Sequence, residues 1–401
     1  MQLGVQIYPL IRLFAALALM TIGGTGMYAI VVSLKPVAVE FGSGRGAASL
    51  PYTLTMIGYG LGGILMGRVS DRVGVLWPAL FGSFMLAAGF ATASQVETIW
   101  QLCLVQGLMI GLLGSAATFA PLVADTSHWF VRRRGIAVAI VISGNYLAGA
   151  VWPPIIQRII DVDGWRGAYQ ELALFCVIVM PLLALALYRR APLQHTDSTA
   201  TGGTSGERPL GMRPNRLQCI VCFAGIGCCV AMAVPQVHII AYVTDLGFEA
   251  RDGANMLAIM LGCGVVSRLV SGMISDRIGG LKTLLLGSGL QMLALTLFLP
   301  FKSLIALYLI AALFGLSQGG IVPSYTIIVR TFFRAEDAGW RIGMALFFTL
   351  LGMALGGWLA GAIYDITGSY EAAFINAIGF NIANLAMAAY LLNRVRQLSN
   401  V

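Results

Sequence analysis

Gly67-Arg68-Val69-Ser70-Asp71-Arg72-Val73-Gly74 returns 205 residues later as Gly272-Met273-Ile274-Ser275-Asp276-Arg277-Ile278-Gly279. Both copies read G-x-x-S-D-R-x-G, and each lies where a long apolar run meets positive charge. A period of half the chain means a duplicated unit, which constrains the fold before any local motif does. Gly67 and Gly272 allow helices to cross tightly. Asp71 and Asp276 can cap helix ends or pair with arginine across the gap between the halves. Such contacts either gate a movement, with Arg72 and Arg277 taking part, or staple two loops statically.

The repeat is set in a very apolar chain. Of its 401 residues, 58% are hydrophobic and only 10% charged, against roughly 25% charged in a soluble domain. A membrane helix needs about 20 mostly apolar residues. Such runs lie at 10–34, 48–67, 76–95, 99–124, 135–157, 168–188, 216–244, 253–275, 283–300, 303–329, 340–364 and 371–393. The expectation is an all-α membrane protein with twelve transmembrane helices in two six-helix bundles, 1–188 and 216–401. The Gly-, Pro- and Ser-rich stretch 189–215 between them reads as a flexible linker. The first helix is too long, and too closely followed by others, to be a cleaved secretion signal.

A formal charge of +8 and a pI near 9.3 would fit a nucleic-acid binder, but the charge is arranged differently. With the N-terminus inside, 18 of the 25 Lys and Arg fall on cytoplasmic loops and 6 on outer loops. This is the positive-inside pattern, so both termini are expected in the cytoplasm and the partner is the lipid bilayer, not nucleic acid. The localisation that follows is a multi-pass plasma membrane protein, of the bacterial inner membrane type.

The duplication appears a second time. Asp161-Val162-Asp163-Gly164 follows the fifth helix and Asp365-Ile366-Thr367-Gly368 the eleventh, at a shift of 204. Gly352-x-x-x-Gly356 and Gly357-x-x-x-Gly361 give the small-residue spacing that brings helix backbones together in lipid. Seven cysteines, at 103, 176, 219, 222, 228, 229 and 263, all fall within helices. Cys219-x-x-Cys222 has no companion ligands nearby and reads as packing, so neither metal nor cofactor is expected.

With its paired loops between helices 2–3 and 8–9 of a twelve-helix pattern, the whole chain resembles the major facilitator superfamily of secondary transporters. The resemblance implies two halves that rock about a central site, with Gly67, Asp71, Arg72, Gly272, Asp276 and Arg277 as conformational gates.

The cargo must be read from ionisable groups inside the membrane. No acidic residue falls near the middle of a predicted helix, which leaves Arg268 and His238. Arg268 is expected seven residues before the end of its helix, roughly 10 Å deep. A central arginine costs about 2.5–3.5 kcal/mol on insertion scales, so it marks a functional site by default. Its partner is an anionic substrate held by two parallel hydrogen bonds; the alternatives are snorkelling to the interface or pairing with Asp276. His238 follows Pro235 and Gln236 and is the side chain whose ordinary pKa suits proton coupling. It serves substrate contact, proton relay or bundle packing. Tyr28, Asn145, Tyr146, Gln236, Gln318 and Tyr325 are further polar candidates for a midplane cavity.

A narrower resemblance concerns the monocarboxylate porters. His128-Trp129-Phe130-Val131-Arg132-Arg133-Arg134-Gly135 through Ser143-Gly144 looks like their helix 5 signature: an aromatic pair, a basic triplet, then small residues. Arg268-Leu269-Val270-Ser271-Gly272 is similar to the helix 8 arginine that meets the substrate carboxylate in those porters and in the oxalate:formate antiporters. The resemblance therefore assigns that role to Arg268. Three departures stand beside it. The porters' helix 8 acid is Gly264 here, their acidic signature in helix 1 is absent at Gly23–Tyr28, and no helix 11 lysine occurs between Gly339 and Tyr364. One buried cation suits a monoanion. Lys35, near the outer end of helix 1, has no settled counterpart.

The function expected is proton-coupled secondary transport of small organic monoanions, such as lactate or pyruvate, with one chain as the working unit. The alternatives are an anion exchanger or an exporter of metabolites or drugs. An ATP-driven pump would need a phosphate-binding glycine loop, and an enzyme would need clustered nucleophiles, metal ligands or paired carboxylates. None is present in the sequence. A sensor would carry a soluble output domain, for which the linker and ends are too short.

Overall fold

The structure, a computed structural model, describes residues 2–130, 134–189 and 209–399 and is helical nearly throughout. The first two arginines of the basic triplet and most of the 189–215 linker lie outside the described residues.

Twelve helices follow from the described elements. Helix α1 is Tyr8–Glu40, with a break at Gly24; α2 is Arg45–Val73, α3 Leu76–Ala93 and α4 Ile99–Trp129. The next stretch, Gly135–Leu185, holds two antiparallel helices, because Gly164 turns at φ 71°. The rings of Trp152 and Phe175 are 5.4 Å apart, whereas an unbroken helix would separate them by about 35 Å. Helices α5 and α6 are thus 134–163 and 165–185. The second half contains α7 (Pro214–Asp245), α8 (Ala250–Ile278), α9 (Gly280–Leu297), α10 (Leu304–Phe332), α11 (Ala335–Thr367) and α12 (Tyr370–Ser399). Both described ends leave by one face: Tyr8 reaches Ala186, and Tyr390 reaches Met212. That face is called the termini face below.

The repeat has a backbone reason. Gly74 and Gly279 terminate α2 and α8 at φ 86° and 82°, their N–H groups donating to the carbonyls of Ser70 and Ser275. Only glycine adopts that conformation without strain. Gly164 and Gly368 likewise end α5 and α11, at φ 71° and 69°.

Glycine also sets the crossings within each half. A Cβ on Gly58 or Gly62 of α2 would lie 2.2 Å from a carbonyl oxygen of α4, Gly107 or Leu112 respectively. The second half repeats this: a Cβ on Gly315 of α10 would lie 2.1 Å from the Met260 carbonyl of α8. On α11, Gly352 and Gly356 pack on α7, while Gly357 and Gly361 face Tyr52 and Arg45 of α2, across the two halves. Close backbone approach replaces the hydrophobic drive that lipid removes.

Two further arginines are buried near helix ends at the termini face. Arg12, only 2% exposed, donates from Nε and Nη2 to the two oxygens of Asp125 at 2.8 and 2.7 Å. Its Nη1 donates to Tyr8 Oη and the Arg189 carbonyl, and Trp129 lies under its face at 4.8 Å. The fourth helix runs to Trp129, beyond the predicted end at residue 124, and its last turns carry Asp125 into this bonded pair. Arg341 is also buried, stacked on Trp340 and Phe333, with Asp337 at 3.5 Å. Removing one member of a buried pair strands the other charge, at a cost of about 3–5 kcal/mol. Arg12→Ala should therefore lower stability by that amount in denaturant unfolding of the micellar protein. The double variant Arg12→Ala/Asp125→Ala should recover part of the loss.

Candidate functional site

Arg268 lies ten residues before the end of α8 at Ile278, not seven, which places it roughly 15 Å from that end. Its guanidinium reaches out of the second half toward α5. Nη1 meets the Ile142 carbonyl at a long 3.4 Å, and Cζ stands 4.5 Å from the centroid of the Tyr146 ring. Nε is buried without a hydrogen-bond partner, and none of the ion pairs among the described residues includes Arg268. Pairing with Asp276 is not seen. A cation–π contact in a desolvated place contributes about 2 kcal/mol and satisfies no N–H.

The missing acid at Gly264 has a geometric counterpart. A Cβ there would lie 2.6 Å from the Tyr146 ring and 3.2 Å from Gln318 Nε2. Tyr146 thus fills the space that an aspartate would need and presents its face to the arginine.

Neighbouring polar groups continue the cluster. Asn145 donates from Nδ2 to Tyr59 Oη at 3.1 Å, and Tyr28 Oη donates to the Asn145 carbonyl at 3.4 Å. Gln236 donates to Gln318 Oε1 at 2.5 Å. Arg268, Tyr146, Asn145 and Tyr28 are therefore brought together, with Gln318 also beside Gly264 and Gln236 bonded to it. Tyr325 is held elsewhere: it donates to Asn384 Oδ1 at 3.0 Å, within a network of α9, α10 and α12 that includes Ser288.

Two residues escaped the sequence reading. Tyr59 anchors Asn145, and its signal is a tyrosine seven places after Tyr52 in a glycine-rich helix. Gly319 lies so close to α8 that a Cβ would sit 2.3 Å from the Arg268 backbone nitrogen. Ser267 fixes the same crossing, donating to the Leu316 carbonyl at 2.6 Å and accepting from the Gly319 N–H. Gly319→Ala should push α8 away from α10 and cost about 1–3 kcal/mol as overpacking. A lower melting temperature together with weakened substrate binding would register it.

His238 belongs to a different place. Its Nε2 lies 2.7 Å from the Gly357 carbonyl, which can only accept, so Nε2 carries the proton. Nδ1 is 3.1 Å from Tyr370 Oη, which also accepts from Arg45 Nη1 at 2.9 Å. Arg45 Nη2 and Lys35 Nζ both pair with Asp245 Oδ1, at 2.8 and 3.2 Å. Asp365 accepts from the backbone N–H groups of Arg45 and Gly46 at 2.7 and 2.8 Å. Arg251 approaches Asp161 at 3.5 Å. The His238 contacts stay within the second half, while those of Arg45, Lys35, Gly46 and Arg251 join the first half to the second on the face opposite the termini and place Lys35 in a latch away from Arg268.

The termini face is the reverse. A Cβ at Gly67, Gly272, Gly339 or Gly343 would meet nothing within 4 Å. Asp71, Arg72, Asp276 and Arg277 are exposed and take part in none of the ion pairs among the described residues. The tight crossing expected of Gly67 and Gly272 is not made in this conformation. Closed on one face and parted on the other, the two halves diverge at the level of Arg268.

The family model described as Major Facilitator Superfamily matches residues 14–304 and 257–400. Monocarboxylate transporter 13 of Rattus norvegicus is 27% identical over 339 residues, 84% of this chain and 77% of that protein. Riboflavin transporter MCH5 of Saccharomyces cerevisiae is 26% identical over 352 residues, 80% of this chain and 67% of that one. Among solved structures, the nucleoside transporter NupG superposes with a TM-score of 0.73 at 14% identity, covering 96% of this chain and 99% of its own. The peptide transporter POT gives 0.73 at 13% identity, with 94% of each chain covered. These two structures speak for the fold. The relatives come from mammals and fungi, so they give no support to the bacterial inner membrane expected from the sequence; a multi-pass membrane protein is what stands.

Proposed function

The chain belongs to the major facilitator superfamily of transporters, and from that premise we propose that it carries small organic monoanions across the membrane in company with protons. Monocarboxylates such as lactate or pyruvate are the substrate class. One observation carries the reading: an arginine with an unsatisfied buried N–H and no acidic partner, set where the halves part. A carboxylate accepts two parallel bonds from a guanidinium, and a single cation balances a single negative charge. The tyrosines and Asn145 around it supply hydrogen bonds to a hydroxyl or keto oxygen. The similarity to monocarboxylate transporter 13 points the same way.

With the termini in the cytoplasm, the conformation described is the one open to the inside. Alternating access then requires the Asp245 and Asp365 latch to open while the loops at Asp71 and Asp276 engage. His238 is the proton-coupling candidate through its place in that latch. As a neutral ring it accepts the Tyr370 hydroxyl proton at Nδ1. As an imidazolium it must donate there, which adds a positive charge beside Arg45 and turns the Tyr370 hydroxyl away. Asp245 and Asp365 are the acids near enough to offset that charge. Binding a proton would thereby loosen the closed face.

Uptake of labelled lactate and pyruvate into proteoliposomes under an imposed pH gradient tests the proposal. Accumulation should follow the gradient, and His238→Gln should flatten the dependence of rate on pH. Uptake seen only in vesicles preloaded with a counter-anion would identify an exchanger instead. No gradient-driven uptake of any monocarboxylate would overturn the reading.

A further inference from the structure

On the termini face, away from Arg268, a cleft of about 520 Å³ is lined by Arg213, Arg216 and Arg394 with Gly211 and Met212. Among the described residues no carboxylate lines it, and none of these arginines enters an ion pair. Two of them occupy the start of α7, with Arg213 at the N-cap making no side-chain cap. A helix N-terminus carries partial positive charge and favours anions, so guanidinium groups placed there repel the dipole unless an anion comes between them. The cleft is built, because Leu210 and Met212 are buried and fix the chain that enters α7. Arg394 is steered by Tyr390, whose hydroxyl accepts from Nε at 3.3 Å.

The surroundings select the kind of anion. From Arg216, the exposed face of α7 continues through Cys219 to Phe223, which is 59% exposed. The exposed face of α12 runs from Tyr390 back through Ala386 to Ile382. Both apolar stripes lead from the membrane-facing surface of the bundle up to the arginines. We propose that the cleft holds the phosphate headgroup of an anionic phospholipid, whose acyl chains lie along these two stripes. Basic pockets between transmembrane helices at the leaflet surface recognise headgroups by this chemistry. A free phosphate would use the arginines and leave the stripes idle.

The test is a thermal-shift titration of the purified full-length protein in zwitterionic detergent. The probes are dioctanoyl phosphatidylglycerol, dioctanoyl phosphatidylcholine and inorganic phosphate. Phosphatidylglycerol should stabilise the protein saturably, with an affinity at least tenfold above that for phosphatidylcholine or phosphate. Arg213→Gln/Arg216→Gln/Arg394→Gln should lose that tenfold, while Lys282→Gln/Arg330→Gln, which removes charge elsewhere on the same face, should keep it. If the triple variant does not fold, Arg394→Gln alone should lower the affinity at least threefold. Equal stabilisation by inorganic phosphate would make this a free-anion site and overturn the lipid assignment. Equal binding by phosphatidylcholine, or by the variants that lack the arginines, would overturn the site itself.

Discussion

Arg268→Gln should cut the kcat/KM for monocarboxylate uptake by at least about a hundredfold while leaving the fold intact. Hydrogen bonds to a charged group contribute about 1.5–3 kcal/mol each, and a bidentate pair loses two. A hundredfold corresponds to about 2.7 kcal/mol, so the expectation lies at the cautious end. The protein itself has little to lose, because the guanidinium is held by one long bond to the Ile142 carbonyl and by the face of Tyr146. The melting temperature should therefore move far less than transport does. Arg268→Lys separates charge from shape: it keeps the cation but loses the planar fork and the stacking, and should retain only part of the activity. Gly264→Asp is a second probe of the same arrangement. The new side chain must displace Tyr146, whose ring lies 2.6 Å from the Cβ position, and its carboxylate would compete with the substrate for Arg268. Uptake should fall there too, with KM raised more than kcat is lowered. Undiminished transport in Arg268→Gln would sink the carboxylate role.

The sequence made some of this legible for physical reasons. Apolar length and the half-chain repeat revealed the helices, because lipid demands continuous apolar runs and a duplicated backbone needs glycine at the same positive-φ turns. Arg268 was visible because an isolated charge inside such a run has no trivial explanation. Arg12 and Asp125 were not visible as a pair, since each lies at a predicted helix end and their meeting depends on how α1 and α4 pack. Tyr59 was hidden for a related reason: a tyrosine in a membrane helix is ordinary until its hydroxyl is seen to hold Asn145. His238 stood out by residue type, yet its surroundings could not be read. Arg45, Asp245 and Tyr370 come from three separate regions of the chain, and only the closed face assembles them around it.

Asp245→Ala/Asp365→Ala should shift the resting conformation toward opening on the face away from the termini. Asp365 accepts two backbone N–H bonds at the start of α2, where the helix dipole adds to the attraction, and Asp245 holds Arg45 and Lys35 together. Asp365 is solvent-exposed, and the Asp245 and Lys35 side chains are partly so, so each contact is discounted for screening. A combined loss of about 2 kcal/mol is a reasonable expectation, and it multiplies the ratio of the two states by about thirty. The change is one-sided, because none of the ion pairs among the described residues joins the halves at the termini face in this conformation. Spin labels at Val39 and Ile366, both highly exposed and on different halves, would follow the separation in a background freed of reactive cysteine. The distance distribution should gain a longer population in the double variant, and Arg12→Ala, which acts within one half, should leave it unchanged. Substrate affinity at Arg268 need not change for transport to fail, because a carrier held too long in either state cycles slowly. Unaltered distances would mean that the helix crossing at Gly357 and Gly361 closes that face unaided, and the charged groups would then lose their role as a latch.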